Sequence, residues 1–530
     1  MSEKVVMSID QGTTGSRVSL YKHDGTLYPN GWFYVEHSQA YPKPGWVEHD
    51  PLEIWLNVKR CIRNVLDKTR VKPGDIVAIG VSNQRETVVA WNPKTGRPVS
   101  NAIVWQDRRT AKLVDHLREN YLSEIVEKTG LIPDSYFSST KIWWMLENIP
   151  GLREKVLKRE AVFGTIDTWI IWNLTNGSQD VQTPEYNGAF VTDYSNASRT
   201  MLFNIHRLDW DEDLAEIQGK IPVEALALPR PSSDKNIYGW TGPEVSSLFE
   251  GSSRPVTGDA GDQQAALLGQ AGFEPHDVKC TYGTGNFILM NTGEHTVRSR
   301  TGLLATVLYS TEAGKAIYAL EGSIFITGAA IQWLRDGLKI IEVSGEVNPL
   351  AEAAEDTGGT YFIPAFTGLG APYWDPYARG MMIGLTRGTS RKHIARAVLE
   401  SIAYLTRDVV EAMCNDTGRR VEMLKADGGA SRSDFLLQFQ ADILDATVVR
   451  PLVRETTSLG AAYLAGLAVG FWRSIGEVKN NWRMEKEFKP MISQDAREKL
   501  YRGWKAAVKR SLGWAREVPW AYGYEEAGGG

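Results

Sequence analysis

Residues Asp10-Gln11-Gly12-Thr13-Thr14 bring an acid, a glycine and two hydroxyls into one short stretch. Such a set can wrap a polyphosphate. Gly12 has no Cβ, so the backbone can approach closely and turn its N–H groups inward. Thr13 and Thr14 add hydroxyl donors, the neighbouring Gly15 leaves further room, and Arg17 adds a fixed positive charge. Asp10 can hold a metal ion through its waters. An ordinary hairpin turn has the same local composition. An echo downstream bears on the choice: Gly283-Thr284-Gly285 sits between the apolar runs Val278–Tyr282 and Phe287-Ile288-Leu289-Met290. Two such hairpins suggest two similar domains gripping one polyphosphate. A third glycine turn, Asp427-Gly428-Gly429-Ala430-Ser431, can lie flat against a base or ribose.

Two polar clusters add different chemistry. In Asn83-Gln84-Arg85-Glu86, the adjacent Arg and Glu can donate to and accept from the hydroxyls of a small polyol. A surface salt bridge is the plainer alternative. In Gly261-Asp262-Gln263-Gln264, Asp262 suits a helix cap or a general base that takes a proton from an attacking hydroxyl.

The elements that must position these groups read as strands alternating with helices, an α/β pattern. Residues 5–9 form a strand into the first turn, and residues 18–21 resume one. Residues 77–81 and Val88–Trp91 are further buried strands. Asp50-Pro51-Leu52-Glu53 is a helix start, with Leu52, Trp55, Val58, Ile62 and Leu66 at helical spacing. Ile394 to Met413 mark a long amphipathic helix. Residues 456–469 form a helix rich in Ala and Gly that permits close packing.

The chain has 530 residues, more than one core accommodates. Domains are expected over 1–270 and 271–512, with a largely disordered tail over 513–530. A net charge of −5 gives no sign of a nucleic-acid partner. The N-terminal apolar run is too short for a leader or a membrane span, and a cytoplasmic protein is expected. Cys61, Cys280 and Cys414 build neither a disulfide framework nor a zinc site. The phosphate-binding Gly-x-x-x-x-Gly-Lys-Ser/Thr loop is absent: Ile221 follows Gly219-Lys220 and Ala316 follows Gly314-Lys315.

Nearly the whole chain, from about Val5 to about Leu512, resembles the FGGY carbohydrate kinases, and within them the branch that acts on glycerol. Tyr136-Phe137-Ser138-Ser139-Thr140-Lys141 opens one signature. Gly380-Met381-Met382-Ile383-Gly384-Leu385 opens the other, which closes at His393-Ile394-Ala395-Arg396-Ala397-Val398-Leu399-Glu400. Pro44-Gly45-Trp46, Asn196-Ala197-Ser198-Arg199-Thr200 and Ala371-Pro372-Tyr373-Trp374 extend the likeness. The resemblance implies two RNase H-like domains of the actin-like ATPase superfamily around an active-site cleft. It implies ATP and Mg²⁺ as cofactors and glycerol as acceptor, with sn-glycerol 3-phosphate as product and Asp262 as catalytic base. The acceptor contacts fall on Arg85, Glu86, Trp105, Tyr136, Asp262, Gln263 and Phe287. ATP contacts fall on Thr13, Thr14, Gly15, Arg17, Thr284, Gly328, Ile331, Gln332, Gly429 and Ser433, with Asp10 at the metal through water. Homodimers or homotetramers are implied. A kinase for another polyol or sugar, or an actin-like switch without catalysis, are the alternatives on the same fold.

The chain departs from the family in two places. Residues 179–190 read as an inserted surface loop. Bacterial members bind fructose 1,6-bisphosphate at a Gly-x-Arg loop, but Gly251 and Arg254 are one residue further apart here. That regulation is therefore not expected.

Overall fold

The computed structural model describes residues 3–518. The opening residues form a strand, Val5–Gln11, because an apolar run of this length is buried on both faces. The turn at Gly12 returns it antiparallel as Gly15–Tyr21, with Asp10 opposite Arg17 and Gln11 opposite Ser16. Leu27–Glu36 follows, also antiparallel. On the other side, Val5–Gln11 pairs in parallel with Ile76–Asn83, and that strand pairs in parallel with Pro255–Gly261. Gly239–Trp240 completes a six-stranded sheet.

The second half repeats the design. Val278–Tyr282 and Asn286–Gly293 form the echoed hairpin, followed antiparallel by Ile317–Ile324 and Leu304–Tyr309. Met423–Asp427 and Thr447–Pro451 continue in parallel from Val278–Tyr282. Met484–Phe488 closes this seven-stranded sheet.

The helix Pro51–Thr69 starts as its sequence implies: the Leu52 amide donates to Asp50 Oδ1 at 2.8 Å. Such a cap is worth about 1 kcal/mol. Its buried stripe is Ile54, Trp55, Val58, Cys61, Ile62 and Val65. Leu52 lies in the first turn, off that stripe, and is exposed, a correction to the expected apolar face. The long helix spans Arg391–Thr417.

The helix Thr456–Ala468 belongs to the second half in chain order but lies on the first sheet. A Cβ on Gly80 would meet Ala461 O at 2.1 Å, and one on Gly258 would meet Ala465 N at 2.4 Å. Glycine at both positions therefore lets the helix rest on the strands. A boundary near residue 270 describes the course of the chain, whereas packing crosses it here.

Residues 179–190 are exposed at Gln179, Asp180, Pro184, Glu185 and Asn187, as expected of a surface loop, but the loop is anchored. Val181 bridges Gly239, Thr183 and Ala189 are buried, and the Phe190 ring packs edge-on against Trp91. The apolar residues that close the stretch pull it into the core. The expected disordered tail is ordered at its start, where Trp514–Glu517 form a short helix and the Ala515 amide donates to Tyr377 O. Residues 519–530 lie outside the described residues. Arg254 is turned back onto its own surroundings, donating to Ile76 O and Ser252 Oγ. Among the described residues, no helix is long and apolar enough to cross a membrane. The cysteines are free.

Candidate active site between the two sheets

Parallel register brings the first-half groups to one edge. Asp10 lies opposite Ser82, and Asn83 lies opposite both Gln11 and Gly261. The strand ends therefore deliver Asp10, Gln84-Arg85-Glu86 and Asp262 together, where open α/β sheets bind ligands. The Gln84 amide donates to Gln11 O at 2.7 Å, and Gln84 Nε2 to Gly12 O at 3.2 Å, tying the first turn to the Arg85 corner.

The sequence alternative of a surface salt bridge fails at Arg85 and Glu86, because both are buried. Glu86 takes φ 62°, a conformation that costs a non-glycine residue of order 1–3 kcal/mol. Arg85 Nε lies 3.2 Å from Asp262 Oδ1, and its Nη2 donates to Tyr136 Oη at 3.2 Å. Trp105 meets Tyr136 edge-on at 5.6 Å and Phe287 at 6.3 Å. The guanidinium of Arg85 lies over the Phe287 ring at 5.8 Å. Arg85, Glu86, Asp262, Tyr136, Trp105 and Phe287 thus meet at one corner of polar groups with an aromatic wall, and Gln263 follows Asp262 in the chain.

Asp262 is the first residue of the helix Asp262–Gly269 and accepts from the Gln263 amide at 2.7 Å. Burial pushes its carboxyl above the usual aspartate range, while Arg85 and Lys279 oppose the shift. A raised pKa suits a general base.

Four further charged residues build the site without having been singled out from the sequence. Glu321 accepts from Arg85 and Arg199, and Arg199 Nε donates to Glu86 Oε1 at 2.7 Å. Lys279 Nζ donates to Gln263 Oε1 at 2.5 Å, which leaves the Gln263 amide nitrogen as the free donor end. A lone charge inside an apolar strand was the available signal for Glu321 and Lys279. Arg199 lay in a stretch noted only for its family likeness.

Lys141 is the fourth. Its buried Nζ donates to Ser135 O at 2.9 Å, Tyr136 O at 2.5 Å and Phe137 O at 2.9 Å. Burial pushes its pKa down to about 7. Below that pH the amine is protonated and fills all three bonds, and bonds to a charged donor are worth about 1.5–3 kcal/mol each. Lys141→Met is therefore expected to cost about 3 kcal/mol or more in urea unfolding, and to raise KM for the acceptor through Tyr136. An unchanged unfolding midpoint would show that those carbonyls find other partners.

The first glycine turn is tied to this corner. Gly12 is open, since a Cβ there would meet only Gly15 O at 3.5 Å. Gly15 is different: its missing side chain makes room for Tyr34 and Val35. Trp105 Nε1 donates to Thr13 Oγ1 at 2.9 Å, coupling the turn to the aromatic wall, and Thr14 Oγ1 bonds Tyr34 Oη. Arg17 pairs with Glu455 at 3.1 Å and stacks over Trp32. In the second turn, the Thr327 and Ala329 amides donate to Thr284 O and the Gly328 amide to Gly283 O. This docks the turn on the start of the helix Gly328–Asp336, which also carries buried Ile331 and exposed Gln332. Helix N-termini favour anions.

Asp10 accepts from Ser82 Oγ at 2.9 Å and makes no ion pair among the described residues. Burial pushes its carboxyl up to about 6, and Asp262 and Glu455 add to the shift. A half-buried acid without a cation fits a divalent ion nearby. No cluster of three ligating side chains occurs among the described residues, so phosphate oxygens and water would have to complete the shell.

The third turn has Gly428 at φ 86° against Tyr282, with Gly429 open beside it. Ser433 has two partners in the structure. Its hydroxyl caps the helix Asp434–Leu444 by accepting from the Leu436 amide, and it donates to Asn348 Oδ1 at 2.5 Å. The side chain brought to this place is Asn348. A cavity of about 770 Å³ bordered by Val126, Ile132, Val297 and Leu303 contains none of these residues.

Two mixed sheets, each opening with a glycine hairpin, define a two-domain α/β fold of the actin-like ATPase type. The chain belongs to the FGGY family of carbohydrate kinases, whose N-terminal domain matches residues 5–269 and C-terminal domain residues 278–469. It is 55% identical over 519 residues to glycerol kinase 2 of Sulfolobus acidocaldarius, covering 98% of this chain and 100% of that one. It is 56% identical to the glycerol kinase of Caldanaerobacter subterraneus subsp. tengcongensis over 515 residues, 97% of this chain and 100% of that one. The crystal structure of Plasmodium falciparum glycerol kinase with ADP superposes with a TM-score of 0.87 at 38% identity, covering 96% and 99% of the two chains.

Proposed function

We propose that this chain transfers the γ-phosphoryl group of ATP to a terminal hydroxyl of glycerol, giving sn-glycerol 3-phosphate in the cytoplasm. The observation that carries the reading is the convergence of Arg85, Glu86, Asp262 and Gln263 on the wall formed by Trp105, Tyr136 and Phe287. Full-length relatives named as glycerol kinases support it.

Glycerol has few atoms. At about −1.5 kcal/mol per heavy atom, ideal binding is limited to roughly −9 kcal/mol. Its hydroxyls therefore need near-complete pairing, with Arg85 and the Gln263 amide donating and Glu86 accepting. Its carbon edge lies against the rings. An analogue lacking a hydroxyl leaves those buried groups unpaired and is rejected.

Asp262 takes the proton of the attacking hydroxyl, with Arg85 Nε fixing the orientation of its carboxylate. The two turns and Arg17 hold the phosphates in line, and positioning does most of the remaining work. Asp10 would hold Mg²⁺ through water, and the ion would neutralise phosphate charge. Arg17 exchanges Glu455 for phosphate on nucleotide binding.

A panel of polyols and sugars with ATP, followed by ADP release, tests the reading. Glycerol is expected to turn over well above background. Turnover of a pentose or hexose with none of glycerol would assign the site to another member of the family, and no turnover at all would favour a switch.

A further inference from the structure

We propose that Glu321 is a positioning residue for the phosphoryl acceptor: from the second sheet it aims the Arg85 guanidinium and determines which N–H groups the acceptor meets. The inference rests on reading the cleft as a polyol site.

A guanidinium carries five N–H groups in a fixed fork. Glu321 takes one from each terminal nitrogen of Arg85, Nη1 to Oε2 at 2.5 Å and Nη2 to Oε1 at 3.1 Å. The other Nη1 hydrogen goes to Gln264 Oε1 at 3.2 Å. What remains is the edge formed by Nε and the second Nη2 hydrogen. Its present partners are Asp262 Oδ1 and Tyr136 Oη, both pocket side chains. An incoming hydroxyl therefore meets Arg85 only between Asp262 and Tyr136. That location places the hydroxyl beside the carboxylate proposed to deprotonate it.

Glu321 is itself held. Arg199 Nη2 donates to its Oε1 at 3.0 Å, and Ser323 Oγ donates to the same oxygen at 3.1 Å. It sits within the strand Ile317–Ile324, opposite Leu289 of the strand that carries Phe287. Burial alone would raise its pKa, but Arg199 and Arg85 more than offset this and hold it at about 2. With Arg85, Glu86 and Arg199 it closes a set of two cations and two anions, all buried. Buried ion pairs are a poor source of stability, and apolar residues of similar volume often serve as well. Holding Arg85 against a substrate is a reason for charge here. The contact also spans the sheets, so the acceptor corner is complete only when both halves are in place.

The test uses the full chain with Glu321→Gln and Glu321→Asp, and compares glycerol with 1,2-propanediol. For Glu321→Gln, KM for glycerol is expected to rise about tenfold, one charged hydrogen bond's worth. The kcat/KM preference for glycerol over the diol should shrink, while KM for ATP stays within about twofold. Glu321→Asp keeps the charge but loses reach, so it should recover stability and only part of the preference. Equal losses on glycerol, diol and ATP, with the preference intact, would reduce Glu321 to a structural role. If the Gln variant does not fold, the Asp variant decides: a wild-type preference overturns the proposal, and a reduced one at normal ATP KM upholds it. The unaltered chain is assayed first. If it phosphorylates a different polyol or sugar, the glycerol reading fails, and the Glu321 comparison is made on that acceptor and its deoxy analogue.

Discussion

Asp262→Asn is expected to lower kcat by about 10²- to 10⁴-fold, the share a positioned general base contributes. Asparagine keeps the shape, so the start of the helix Asp262–Gly269 and the Arg85 corner should persist, while the site loses its proton acceptor. Nucleotide binding should survive, since the phosphate turns lie on other segments. Steady-state ADP release, with calorimetric titration of a non-hydrolysable ATP analogue, measures both. The pH profile adds a sign. Burial raises the Asp262 pKa, and the base works only when ionised. Its rate contribution is therefore present above the folded pKa and lost as pH falls through it, at a higher pH than for an exposed aspartate. A near-normal kcat in the Asn variant would remove Asp262 from the base role.

What was legible in the sequence was local. The hairpins at Gly12 and Gly283–Gly285 could be read because each turn lies between short apolar strands, and strand pairing across a tight turn needs no distant information. Asp50-Pro51 marked its helix for the same reason. Arg85, Glu86 and Asp262 stood out as polar clusters, but Trp105, Tyr136, Phe287 and the grouping of all the expected acceptor residues became legible only through the family resemblance, since no spacing rule brings Arg85 to Asp262. Glu321 and Arg199 were missed because their meaning lies in partners far along the chain, Arg85 with Glu321 and Glu86 with Arg199. At Ser433 the structure adds partners that the sequence did not announce. A single position matched to a family pattern carried no sign that its hydroxyl would be used by a helix cap and by Asn348. At residues 179–190, polar and turn-forming residues suggested exposure, but Phe190 found a place beside Trp91. The Ala- and Gly-rich composition of residues 456–468 announced close packing without saying against what.

That packing supports the second large effect: Gly460→Ala is expected to cost about 1–3 kcal/mol or more and to cut kcat by about 100-fold. A Cβ on Gly460 would lie 1.9 Å from Ala265 O and 2.6 Å from Ala265 C, within the helix that Asp262 begins. The obstacle is backbone, so no rotamer relieves it. Ordinary contact begins at 3.4 Å, so the helices must part by about 1.5 Å. The Thr456–Ala468 helix has little freedom to yield, because Ala461 and Ala465 rest directly on Gly80 and Gly258 of the first sheet. The Asp262–Gly269 helix is then the element that moves, and it carries Asp262 away from Arg85 and the acceptor. A misplacement of about 1 Å at the reacting atoms costs about 100-fold. Gly345→Ala, at a position with nothing within 4 Å, is the matched control and should be neutral. Urea unfolding and kcat measured on both variants check the argument. Wild-type turnover in Gly460→Ala would mean that the first sheet absorbs the displacement and that the base does not depend on this helix contact for its position.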